Sequence, residues 1–119
     1  MHVQEGRGHL ARFLGILTPM EVRLGCELEA VRRMALAALQ PFRVRVFLFG
    51  SQLRGAVRHD SDIDVGVLPL APLAPGILSR LREELEESNL LTRVDLVDLS
   101  RADEDFRARV VAHGLPWRD

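Results

Sequence analysis

The chain has 119 residues, 47% of them apolar and 28% charged, with a formal net charge of -1, the proportions of one ordinary globular domain. That balance gives no global attraction to nucleic acid or to anionic lipid, so no direct nucleic-acid binding is expected and any polyanion must be held locally. All sixteen basic residues are arginine and Cys26 is the single cysteine, which excludes lysine-dependent phosphate loops, Schiff bases, internal disulfides and cysteine zinc sites.

Residues 1–17 form an N-terminal extension that starts polar and ends apolar, and residues 18–119 read as the domain proper. The apolar run around Leu14–Leu17 is too short for a signal segment or a membrane span, so a cytoplasmic protein is the expectation. Thr18-Pro19-Met20-Glu21 is a capping box with proline at the first helical position. Apolar residues then recur at Val22, Leu24, Leu28, Val31, Met34, Ala35 and Leu39, an amphipathic helix ending before Gln40-Pro41.

Val44 to Phe49 reads as a strand, only partly alternating and rich in β-branched and aromatic residues. Gly50-Ser51 breaks it, and Gln52 to Ala56 has room for a short helix. A second strand is expected over Ile63 to Leu68, followed by a proline-punctuated loop from Leu70 to Pro75. Ile77 to Ser88 is a helix with Leu78, Leu81 and Leu85 on one face, and Val94 to Leu99 a third strand. Ser100-x-x-Asp103 can cap a last helix, Glu104 to Ala112, closed by His113-Gly114. The alternating order predicts an α/β (α+β) fold: a small mixed sheet with helices packed on one face and the other face partly open.

The chemistry concentrates in fifteen residues. Asp62 and Asp64 stand two apart on a strand, so both carboxylates leave the same face, while Ile63 and Val65 face the core. Paired carboxylates repel unless a cation lies between them, and all-oxygen ligands suit magnesium. Gly50-Ser51 marks the turn from strand to helix, where glycine allows close approach to an anion and free amides favour phosphate. Arg54 lies one turn further on, placed either to brace the loop or to add charge to the phosphates.

Rival motifs fail at specific positions. Gly50 and Gly55 have the spacing of a Walker A loop, but Ala56 stands where its lysine must be. A calcium-binding loop starting at Asp60 would need glycine at Val65 and glutamate at Ala71. What remains is Gly50-Ser51, ten residues, then Asp62-x-Asp64. A chance match in a chain this long is on the order of 1 in 1,000 from average residue frequencies.

This pattern resembles the nucleotidyltransferase superfamily that includes DNA polymerase beta and kanamycin nucleotidyltransferase. It is most similar to the minimal prokaryotic members, whose G-S-x-x-x-G and S-D-I-D motifs match Gly50-Ser51, Gly55 and Ser61-Asp62-Ile63-Asp64. The likeness runs from about Met20 to Gly114 and implies the nucleotidyltransferase fold. It also implies a third carboxylate on a neighbouring strand. Asp95 and Asp98 are three apart and so point to opposite faces; Val94-Asp95-Leu96 fits the family pattern, and Asp98 is expected to end the strand or cap the next element.

The resemblance implies catalytic and metal-ligating roles for Asp62, Asp64 and Asp95, with two Mg2+ ions, and nucleotide binding by Gly50, Ser51 and Arg54. ATP is the implied donor. Larger relatives carry further domains that bind the acceptor, and only about twenty residues follow Asp98. That implies the antitoxin type, which transfers AMP onto a tyrosine of a separate HEPN-type toxin. The alternatives are a non-enzymatic antitoxin or nucleotide-binding module acting by complex formation, and a transferase with an aminoglycoside-like acceptor.

Overall fold

The computed structural model describes residues 19–50 and 63–119. Within them, helix α1 (Pro19–Leu39) starts on the proline that the sequence places at its first turn and stops two residues before Pro41. Strands β1 (Val44–Phe49) and β2 (Ile63–Pro69) follow, then α2 (Ile77–Glu87) and β3 (Val94–Asp98). A 3-10 turn over Leu99–Arg101 leads to α3 (Glu104–His113) and a short β4 (Leu115–Arg118). The N-terminal extension and the short helix expected over Gln52 to Ala56 lie outside the described residues. No helix among the described residues is long and apolar enough to cross a membrane.

The four strands form one mixed sheet in the order β3-β2-β1-β4. β1 is antiparallel to β2 and to β4, and β2 is parallel to β3. One face turns Val44, Val46, Leu48, Ile63, Val65, Val67 and Leu96 against Val31, Ala35 and Leu39 of α1 and Leu81 and Leu85 of α2. The other face buries Phe47 with Leu99 and Val110, so α3 covers part of it. Cover on both sides explains why β1 alternates only in part, since a strand buried on both faces reads as a continuous apolar run.

β4 is absent from the sequence-based expectation of three strands. It has four residues and carries Pro116, which suits an edge position but gives no period-two signal. His113-Gly114 closes the last helix as expected, with Gly114 at φ -70°, and the chain runs straight into β4. Glycine serves a steric purpose there: a Cβ would sit 2.6 Å from the Val110 carbonyl oxygen.

Three polar contacts fix the frame around the sheet. Arg118 Nη1 donates to the Leu39 carbonyl at 2.8 Å, satisfying one of the carbonyls left over at the end of α1. Arg82 donates from Nε and Nη2 to the Leu96 carbonyl at 3.3 and 3.0 Å, closing part of the outer edge of β3. Asp103 caps α3, its carboxylate accepting from the amides of Asp105 and Phe106.

Candidate functional site

The antiparallel register pairs Phe49 with Asp64, and the parallel register pairs Asp64 with Asp95. Paired residues of neighbouring strands share a face. Phe49, Asp64 and Asp95 therefore form one row across three strands, on the face opposite α1 and α2. The row lies where β1 ends and where β2 and β3 begin. Asp64 is half-buried and Asp95 exposed, so the second acid stands at the open edge of the sheet. Asp62, Ser51 and Arg54 lie outside the described residues.

Gly50 has φ +88°, a conformation that L side chains rarely adopt. A Cβ built on it would overlap Oδ2 of Asp64 and lie 3.0 Å from its carboxyl carbon. The turn glycine and the strand aspartate, fourteen positions apart in sequence, are thus packed against one another. The absence of a side chain at Gly50 leaves the backbone at the turn directly against the carboxylate.

Asp98 behaves differently, as its three-residue offset from Asp95 requires. It is in register with the buried Val67, on the helix-covered side. Its carboxylate accepts from the Ser100 amide at 3.0 Å and the Ser100 hydroxyl at 2.6 Å. Arg101 Nε lies 3.9 Å away. Those bonds cap the 3-10 turn and commit Asp98 to structure.

Two carboxylates in register on one face offer hard oxygen donors of the kind Mg2+ takes. With the backbone of the Gly50 turn directly against the Asp64 carboxylate, the residues present fit a divalent cation. A hollow of about 430 Å3 adjoins Gly50, lined by Phe49, Phe106, Arg109, Val110, His113 and Gly114. The Phe49 and Phe106 rings meet edge to face at 5.5 Å. Phe49 was read from the sequence only as a strand residue; its place in the row follows from β1 pairing with β2.

One buried acid lies off this face. Glu27 of α1 is 8% exposed and accepts from the amides of Leu91 and Thr92 at 2.8 and 3.0 Å. Burial alone would raise its carboxyl, but the Thr92 hydroxyl, the two amides and the charge of Arg23 outweigh burial and hold it below its ordinary value. The bond pins the loop that leads into β3. The sequence carries no sign of it, because Glu27 reads as one more polar helix position.

Comparison with known proteins agrees with this geometry. Residues 40–116 match the family model for the polymerase beta nucleotidyltransferases. The probable protein adenylyltransferase MntA of Haemophilus influenzae is 40% identical over 62 residues, which are 52% of this chain and 54% of that protein. The match thus spans about half the length of this relative. Among solved structures, a minimal nucleotidyltransferase superimposes with a TM-score of 0.61 at 31% identity, covering 76% of this chain and 92% of that one. A toxin-antitoxin crystallised with AMP-PNP gives 0.57 at 30% identity, covering 72% and 71%. A complex of tri-AMPylated Shewanella oneidensis HEPN toxin with MNT antitoxin gives 0.52 at 27% identity, covering 75% and 70%. With the matched segment spanning the Gly50 turn, the acidic row and most of the sheet, the chain belongs to the polymerase beta nucleotidyltransferase family.

Proposed function

We propose that this chain transfers AMP from ATP onto a hydroxyl of a protein acceptor, a tyrosine of a HEPN-type toxin, and so acts as an antitoxin. The observation that carries this reading is the row in which Asp64 lies in register with Asp95 and is packed against Gly50. The relatives that resemble it support the acceptor class: one is a probable protein adenylyltransferase, and another is complexed with an AMPylated toxin. AMP-PNP in a third neighbour supports ATP as the donor. A cytoplasmic site of action goes with that donor.

In this reading Gly50 and Ser51 hold the β- and γ-phosphates through backbone amides and the serine hydroxyl, and Arg54 adds charge. Asp62, Asp64 and Asp95 would hold two Mg2+ ions, which supply charge neutralisation on the phosphates and a lowered pKa at the acceptor hydroxyl. The acceptor oxygen bonds to the α-phosphorus as the bond to the bridging oxygen of the β-phosphate breaks. Pyrophosphate leaves, and the hydroxyl proton passes to the carboxylate of Asp95, the exposed acid on the acceptor side. Because Gly50 has no side chain, the Asp64 carboxylate lies directly against the turn that holds the phosphates.

The test is transfer of α-labelled ATP to a purified HEPN-type partner. The Asp62→Asn, Asp64→Asn double variant is expected to lose at least about a thousandfold in rate, the scale of removing groups that act as a unit. Unchanged transfer would rule out the acidic site. Inhibition of the toxin by the double variant without transfer would assign the protein to neutralisation by binding alone.

A further inference from the structure

Leu91 is 72% exposed, the most exposed of the large apolar side chains among the described residues. It stands in the loop before β3, four positions ahead of Asp95. This exposure is imposed by structure: Glu27 accepts from the backbone amides of Leu91 and Thr92, fixing the loop to α1. The Arg93 carbonyl in turn accepts from the Ile63 amide at 2.9 Å, tying the same loop to the start of β2. A clamped loop that presents a leucine to water is a preformed contact surface.

Beside it lies a hollow of about 320 Å3, lined by the apolar Leu85, Leu90, Leu91 and Val94 together with Glu86, Thr92 and Arg93. It opens at the outer edge of the sheet, because β3 is an edge strand. Backbone groups alternate along a strand. The Arg93 carbonyl points toward β2 and the Leu96 carbonyl points outward to Arg82, so the amide and carbonyl of Val94 also face outward. Arg82 takes the Leu96 carbonyl, one residue beyond Asp95. The outward amide and carbonyl of Val94, one residue before Asp95, are the groups that offer backbone hydrogen bonds to a newcomer.

We infer that this edge, with Leu91 and the hollow behind it, is the docking surface for the acceptor, and that the acceptor is a polypeptide gripped through an apolar side chain. The inference rests on the transferase reading and names how its substrate is held. An extended segment laid along β3 would pair with Val94 and point successive side chains to opposite faces. One apolar side chain enters the hollow on the helix side. Its neighbour carries its hydroxyl to the other face, over Asp95. A small hydroxyl compound has no backbone to pair with the edge and no apolar anchor for the hollow.

The experiment uses the full chain, Mg-ATP and the HEPN-type protein of the same genome, with wild type compared to Leu91→Asp and to Leu70→Asp. Leu70 is also exposed, at the opposite end of β2, and serves as the control. Leu91→Asp is expected to raise the acceptor KM at least about tenfold, the scale of one interface anchor, with kcat and the ATP KM within about twofold. Leu70→Asp should match wild type. An unchanged acceptor KM in Leu91→Asp would overturn the inference. If wild type binds the partner without transferring AMP, the transferase reading falls while the surface stays testable: a tenfold weaker Kd for Leu91→Asp supports it, and an equal Kd overturns it. Wild type that neither binds nor modifies the partner overturns it as well.

Discussion

A glycine with φ +88° whose missing side chain leaves space for a carboxylate makes a sharp demand on substitution. Gly50→Ala must place a Cβ on Asp64 and adopt a backbone conformation that costs L-residues about 1–2 kcal/mol. The expected result is a fall of at least that size in unfolding free energy and loss of most AMP transfer, read from denaturant melts and labelled-ATP assays on the same preparation. Gly50 and Asp64 stood out in the sequence because period-two geometry and a turn glycine leave a spacing that survives without coordinates. Parity said only that one of Asp95 and Asp98 shares the face of Asp64, and the family resemblance chose Asp95; the structure pairs Asp95 with Asp64 and bonds Asp98 to Ser100. Phe49 and Glu27 were not legible as special. Each takes its role from a partner distant in sequence, Phe49 from Asp64 across the sheet and Glu27 from a loop 64 residues away.

At the level of elements, strands and helices with their own periodicity lie where the pattern puts them. β1 begins and ends as expected, and α3 is capped by Asp103. β4 was missed because its order comes from pairing with β1 and from the Arg45–Asp119 ion pair at 2.9 Å, neither of which four residues can announce. The α1 clamp on the loop before β3 gives an element-scale prediction. Glu27 has a depressed carboxyl in the folded chain, so its contribution to stability is present above the ordinary value of 4.5 and is lost as pH falls through the lower folded value. Glu27→Gln should lose about 1–3 kcal/mol near neutral pH, the cost of weakening hydrogen bonds to buried groups. The gap from wild type should narrow as the pH drops below 4.5. Thermal melts of both proteins from pH 7 to pH 3 check this; a gap independent of pH would contradict it.

For the molecule as a whole, the division between the two faces explains the division of labour. α1 and α2 bury one side of the sheet, α3 covers part of the other, and the acids emerge at the end where Asp95 is exposed. In the proposed reading the phosphate-binding turn and the first two acids lie in one contiguous stretch, and the acceptor side is an edge strand and a clamped loop that a second protein would complete. The most direct measurement is the intact mass of the HEPN-type partner after incubation with this chain and Mg-ATP. The account predicts adducts in steps of about 329 Da, one AMP per transfer, with none formed by the Asp64→Asn, Asp95→Asn variant. A partner that forms a stable complex with this chain and keeps its unmodified mass would contradict it.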